Sequence, residues 1–305
     1  MTREGPERAR TMKIQFLNGG LANQAFQYIF ARYYELSHPD GIMYLDDSYF
    51  ALNTVHNGYE LEKVFGIRAH MLSECFDKAV WDFILGERKA GKSVPQILQE
   101  NQIQIQMLSE VDGYRQFNPF DGEVHRIPSS QYLPEIQDLP GNFYYHGYWI
   151  KRDWFDRYQD HFRKEFTFPQ IADAKNQSYM EEIQNTQSVS IHVRRGDYVT
   201  LGWSLEPGFY RTCIRTFLES VSGPWHLFVF SDDISWCRAH EEELGFGVFP
   251  SVTYVEGNTH GKNYLDLQLM SACKAMFVSN SAFSYLAALL NTKKQYMLNM
   301  ADRKL

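Results

Sequence analysis

Residues 192–197 read His-Val-Arg-Arg-Gly-Asp, a run that sets an imidazole, two guanidiniums and a carboxylate within one turn of chain. Adjacent guanidiniums present fixed forks of donors suited to a pyrophosphate, and Gly196 allows the backbone to turn sharply behind them. Before the cluster, Val189, Ile191 and Val193 alternate with smaller or polar neighbours, the pattern of a strand. In open α/β sheets ligands bind outside the carboxyl ends of the strands, where these charges would fall. Three further polar clusters follow apolar runs in the same way: Ser231-Asp232-Asp233, Glu256-Gly257-Asn258 and Ser279-Asn280-Ser281. Asn280 and Ser281 also precede a helical pattern, so they could cap that helix and present its N–H groups to phosphate. Ordinary N-caps and turns account for Ser231 and Ser279 equally well, but they account poorly for the double Arg.

The elements that must carry these clusters alternate regularly from residue 188 onward. The spacing predicts strands at 188–193, 226–230, 252–255, 275–278 and 295–298. Between them it predicts helices over Gly208–Val221, Ile234–Leu244, Tyr264–Cys273 and Phe283–Leu290. Such alternation means a parallel sheet covered on both faces. Near the N-terminus, residues 12–17 predict a strand, Asn18-Gly19-Gly20 a turn, and the three-and-four spacing of Leu21, Ala25, Phe26, Ile29, Phe30, Tyr33 and Leu36 a helix. That junction would aim free N–H groups at an anion, with Asn23 and Gln24 adding neutral donors. The competing reading is a tight glycine turn with Asn23 as a cap.

A second strand is expected at 42–45, ending in Asp46-Asp47. The stretch 49–145 is aromatic and glutamine-rich, with helical pieces around Ser73 to Leu85, and its topology does not follow from the pattern. Within it Gly86 to Ser93 matches the P-loop spacing letter for letter. A P-loop must follow a buried strand, whereas AVWDFIL comes out of a polar helical segment, so the match reads as a decoy. A domain boundary is expected near 150.

The chain has 305 residues, 44% hydrophobic and 22% charged, enough for two cores. A net charge of -7 gives no basic field for nucleic acid or for an anionic membrane, so at most peripheral membrane association is expected. Four widely spread cysteines, Cys75, Cys213, Cys237 and Cys273, suggest thiols of a reducing compartment and no zinc site. No apolar run reaches the roughly 18 to 20 residues of a membrane span, and the N-terminus lacks a signal-like apolar core, so a cytoplasmic protein is expected. Residues 1–11 are expected to be an unstructured extension.

The motifs GGLANQAFQY, HVRRGDYV, FVFSDDISW and DLQLMSACKAMFVSNSAFSYLAALLN, in this order, resemble those of the α-1,2-fucosyltransferases of glycosyltransferase family 11. The resemblance covers residues 12–40 and 143–300. It implies an α/β, glycosyltransferase-B-like fold of two Rossmann-like domains facing a cleft, with 12–150 on the acceptor side and 151–305 binding GDP-fucose. The implied reaction moves fucose from GDP-β-L-fucose to O2 of a terminal galactose of an oligosaccharide, with inversion and with neither metal nor cofactor. Carried over by position, Arg194 would contact the β-phosphate, His192 and Asp233 the guanine, Ser281 and its helix start the phosphates, and Asn23 the sugar-phosphate region. The expected donor-binding set is completed by Asp232, Asn280, Phe283, Gly19, Gly20 and Gln24, and the expected catalytic set is Arg194, Asp197 and Asn23. Asp197 and Glu256 are candidate bases, although Asp197 could instead brace Arg195. The chain departs from the family pattern at Ala22 and in SNSAFSYLAALL, changes that bear on the acceptor and on local packing. Rival readings are a P-loop nucleotide kinase using Gly86–Ser93, a fucosyltransferase of other linkage, and a binding module displaying Arg195-Gly196-Asp197.

Overall fold

The computed structural model describes residues 11–54, 57–111, 114–118, 125–128, 134–259, 261–293 and 296–299. Apart from Thr11, the expected N-terminal extension lies outside them. The chain divides into two compact units, Met1–Phe162 and Arg163–Leu305. The division falls later than the 150 expected from composition, and aromatic packing explains why. Trp149 stacks on Phe30 at 4.5 Å, Trp154 meets the same ring edge-on at 5.0 Å, and Tyr158 packs on Tyr33 at 5.6 Å. The aromatic stretch thus belongs to the core around the helix Leu21–Ser37. Fully burying one such ring is worth roughly 1.5–3 kcal/mol.

The first unit is a six-stranded sheet built from β1 (Lys13–Phe16), β2 (Met43–Asp46), β3 (Gln106–Val111), β4 (Tyr114–Asn118), β5 (His125–Pro128) and β6 (Phe143–His146). Its order is β2-β1-β6-β3-β4-β5, with the β3–β4 and β4–β5 pairs antiparallel and the other pairs parallel. The expected strand over 42–45 continues through Asp46, which is fully buried. Its carboxylate accepts hydrogen bonds from the Tyr144 hydroxyl at 2.6 Å and the Ser48 amide at 3.0 Å, and burial raises its pKa despite both.

The P-loop match fails on structure. Gly86 to Lys89 close the helix Lys78–Lys89, and no strand precedes them. Ser93 makes a capping box with Gln96 at the start of the helix Val94–Glu100, while Lys92 pairs with Glu87 and with Glu100 at 2.7 Å. The segment is a helix-to-helix corner, and its lysine is occupied by its own neighbours.

The second unit holds β7 (Gln187–Val193), β8 (Trp225–Ser231), β9 (Ser251–Tyr254), β10 (Ala275–Val278) and β11 (Tyr296–Asn299) in the order β11-β10-β7-β8-β9, all parallel. Val189, Ile191 and Val193 share one apolar core with Tyr210, Ile214, Phe217, Leu227, Val229 and Phe277. The opposite face of β7 carries Ser188, Ser190 and His192, and these are buried too. A central strand covered on both sides therefore delivers a buried imidazole to its carboxyl end, which excludes an exposed hairpin tip displaying Arg195-Gly196-Asp197. The short helix Gly196–Leu201 was not anticipated, and the helix expected over 234–244 is two pieces, Ile234–Ala239 and Glu241–Leu244. All four cysteines are unpaired, and no helix among the described residues is long and apolar enough to cross a membrane.

Because Lys92 is spent on Glu87 and Glu100, Lys92→Ala should leave nucleotide affinity unchanged within twofold in a calorimetric titration. A tenfold loss would restore Gly86–Ser93 as a phosphate-binding loop.

Candidate functional site

The strand order of the second sheet reverses at β7. From β7 the chain proceeds outward through β8 and β9, then crosses to β10 and β11 on the other side. A reversal of this kind leaves a crevice at the carboxyl ends of the two strands beside it, here β7 and β10. His192 and Ser279 stand at that place, with His192 Nδ1 and Ser279 Oγ 3.1 Å apart. Ser284 Oγ lies 3.1 Å from Ser279 Oγ, accepts from the Ser279 amide and donates to the Ser281 carbonyl. Phe283 lies 5.6 Å from the His192 ring. Burial, and then the Arg194 charge, lower the His192 pKa to about 3, so the imidazole is neutral and able to serve as a hydrogen-bond partner.

The next residues form a braced turn. Asp232, at the end of β8, accepts from the Arg195 amide at 2.8 Å with one carboxylate oxygen and pairs with Arg194 Nη1 at 2.7 Å with the other. Arg194 Nη2 donates to Asp197 at 2.6 Å. Gly196 is required here, because its φ is +22° and a Cβ would come within 2.6 Å of Asp232 Oδ2. Arg195 turns inward, with its guanidinium 3.6 Å from the Trp236 ring centroid, a cation–π contact. Thus Asp197 braces Arg194 rather than Arg195. Asp232, expected among the donor-binding residues, spends both oxygens on holding the turn.

Other expected ligands also have structural duties. Asp233 caps the helix Ile234–Ala239 by accepting from the Trp236 amide at 3.0 Å, and its own amide donates to Ser231 Oγ. Capping engages one of its two carboxylate oxygens. The Asn280 amide donates to the Trp203 carbonyl at 2.7 Å, fastening the segment after the short helix. Ser281 is the N-cap of the helix Ala282–Leu290, as anticipated, and accepts from the Phe283 amide at 3.3 Å. Glu256 pairs with Arg238 at 3.2 Å.

In the first unit, Gly19 adopts φ +79° directly against the Asn23 side chain, and Gly20 begins the helix Leu21–Ser37. Among the described residues the Asn23 amide has no hydrogen-bond partner, so it is open to a ligand. Gln24 is not open. Its amide nitrogen donates to the Gly19 and Gly58 carbonyls, and its oxygen accepts from the Glu60 amide.

Sequence reasoning singled out Asn258 beyond β9 but missed its partners, Asn176 and Asp266. Asn258 and Asn176 exchange amide hydrogen bonds at 2.8 Å, and Asn258 also donates to Asp266 at 2.7 Å. Burial pushes the Asp266 pKa to about 7, opposed by that hydrogen bond. In sequence Asp266 resembles any acidic residue in a first helical turn, and only the fold reveals its desolvation. Trp236, which supports Arg195, could have been suspected from FVFSDDISW. Among the described residues no group of three His, Cys, Asp or Glu is arranged to hold a metal ion.

The depressed His192 pKa has a signed consequence. Between pH 6.5 and about 3 the unfolded chain carries a proton here that the folded chain rejects, so stability falls as pH drops through that window. His192→Asn should flatten the acid limb of a plot of Tm against pH. An unchanged slope would contradict the buried, neutral assignment.

Comparison with known proteins gives the site its context. Residues 116–303 match the model of Glycosyl transferase family 11. An Alpha-1,2-colitosyltransferase of Escherichia coli is 30% identical over 282 residues, spanning 90% of this chain and 86% of that protein. A Galactoside 2-alpha-L-fucosyltransferase Sec1 of Mus musculus is 26% identical over 165 residues, spanning 50% of this chain and 43% of the relative. Among solved structures, the fucosyltransferase NodZ from Bradyrhizobium aligns over 92% of this chain and 93% of its own, with a TM-score of 0.51 at 12% identity. That likeness shows an α/β fold of the glycosyltransferase-B kind. The family match covers more than half of the chain and includes the Arg194 turn, Asp232 and Ser281: the chain belongs to glycosyltransferase family 11.

Proposed function

We propose that the chain is an inverting α-1,2-fucosyltransferase that moves L-fucose from GDP-β-L-fucose to O2 of a terminal galactose, working without a metal in the cytoplasm. The observation that carries this reading is the edge of the second sheet. There a neutral imidazole, a braced guanidinium and a helix start stand together at the strand-order reversal. The mouse relative is named for transfer to position 2 of a galactoside. Four unpaired cysteines suit a reducing compartment.

In the proposed reaction the acceptor O2 attacks C1 of fucose from the face opposite the nucleotide. The C1–O bond breaks with its electron pair going to the β-phosphate oxygen, and the acceptor proton leaves to solvent or a base. Negative charge then grows on GDP. Arg194 is placed to meet it, and the N–H groups at the start of the helix Ala282–Leu290 add to the stabilisation. Asp197 is 58% exposed and its pair with Arg194 is correspondingly weak, so a phosphate can displace it at little cost. Asp232 retains the other side of the guanidinium and keeps it aimed. Asp197 therefore acts as a positioning residue in this account.

The Escherichia coli relative supports a second reading of the donor sugar, since colitose is fucose without its 3-hydroxyl. Turnover of GDP-fucose and GDP-colitose with one galactoside acceptor separates the two. The proposal expects kcat/KM to favour GDP-fucose, and a preference for GDP-colitose would replace fucose as the donor. Arg194→Ala should lower kcat by on the order of 10² to 10³ with an unchanged melting curve, the loss typical of removing a donor to developing charge. Activity within threefold of the parent would refute its role.

A further inference from the structure

The end of β6 and the loop after it, His146-Gly147-Tyr148-Trp149, are held more firmly than a connection requires. Trp149 adopts φ +53°, a left-handed conformation that costs a non-glycine residue of order 1–3 kcal/mol and persists only where the surroundings over-determine it. The surroundings here do so. The Trp149 ring is fully buried and stacked on Phe30, its indole N–H donates to Gln15 Oε1 at 2.6 Å, and its amide donates to Glu110 at 2.9 Å. The same Gln15 side chain donates to the Gly147 carbonyl at 3.0 Å. Gly147 itself admits no side chain, since a Cβ would come within 2.8 Å of Glu110 Cβ and 2.9 Å of the Trp149 ring.

The alternation of β6 continues through this loop. Tyr145, Gly147 and Trp149 are buried, whereas His146 and Tyr148 are exposed, Tyr148 by 41%. Locking the inward residues therefore fixes the outward pair. Among the described residues neither the His146 ring nitrogens nor the Tyr148 hydroxyl has a hydrogen-bond partner. His146 is held only by its ring, edge-on to Phe16 at 4.8 Å. Desolvation and then the Arg88 charge lower its pKa, so at neutral pH the ring offers one donor and one acceptor.

The position of the pair is not arbitrary. In the first sheet β1 leads outward to β2 on one side, while β6 and β3 lie on the other, so the strand order reverses between β1 and β6. His146 ends β6 at that reversal, on the carboxyl edge where open α/β sheets bind ligands. A rigid tyrosine offers apolar area and a hydroxyl with little entropy to lose, and a neutral imidazole can both give and accept a hydrogen bond. These properties suit a ligand that combines apolar C–H faces with many hydroxyls.

We infer that His146 and Tyr148 form a saccharide subsite of the first unit, which binds the galactose-terminated acceptor. This deepens the transferase reading and rests on it for the identity of the saccharide, but it does not depend on which nucleotide sugar is used. The test measures N-acetyllactosamine binding by saturation-transfer NMR, and GDP binding in the same samples, for the parent, His146→Ala/Tyr148→Ala, and the milder His146→Gln/Tyr148→Phe. The expected result is at least a tenfold weaker saccharide affinity in the alanine pair and an intermediate loss in the milder pair, with GDP affinity within twofold and unchanged melting curves. Equal saccharide affinity in parent and variants, or no saccharide binding by the parent, would overturn the subsite. Loss of the GDP signal in the parent would instead count against the donor reading.

Discussion

One carboxylate holds the chemistry of the second unit in place. Asp232 reaches from the end of β8 to the turn after β7, taking the Arg195 amide with one oxygen and the Arg194 guanidinium with the other. Hydrogen bonds to a charged group contribute about 1.5–3 kcal/mol each, enough to hold a turn whose glycine sits at an unusual φ. The turn in turn sets where Arg194 points, starts the short helix Gly196–Leu201 and places Asp197 on the outer side of the guanidinium. Without Asp232 the two arginines would be adjacent like charges on an unsupported loop.

Behind that turn lies a strand with two different buried faces. The valines and isoleucine of β7 anchor it in the apolar core, and on the buried serine and histidine face His192 meets Ser279 and Phe283 at the start of the helix that follows β10. Burial keeps His192 neutral, and the hydroxyls of Ser279 and Ser284 fix its ring. A charged residue could not occupy this position without a partner, so the site separates its roles. The buried group provides shape and hydrogen bonding, while the half-exposed guanidinium provides charge.

Much of this was legible in the sequence, and the reasons are specific. The alternation through Val189, Ile191 and Val193 and the regular helix spacing beyond it identified a parallel sheet, because strands buried on both faces leave strong apolar signals. The first sheet was harder to read. Its strand β3 begins at the last residue of a glutamine-rich run and its strand β5 carries His125 and Arg126, so the apolar contrast that marks a strand is weak there. The two compact units divide after Phe162, beyond the aromatic stretch, and sequence alone does not show whether such residues open a new domain or close the old one. The motif residues could be listed from the sequence, but the hydrogen bonds each makes within the fold could not. Whether an aspartate caps a helix, braces a turn or meets a ligand depends on partners distant in sequence, as Asp232, Asp233 and Gln24 show. The Gly86–Ser93 match shows the converse, a letter pattern without the strand that gives it meaning.

The proposed function requires that the carboxyl edge of the second sheet bind a guanine nucleoside diphosphate through Arg194 and helix N–H groups, with no bridging cation. Isothermal titration of the whole chain with GDP, UDP and ADP, each in excess EDTA, tests it most directly. The account predicts saturable GDP binding at least tenfold tighter than that of UDP or ADP, and unchanged when Mn²⁺ replaces the chelator. Binding that vanishes in EDTA and returns with Mn²⁺, or equal affinity for the three nucleotides, would contradict it.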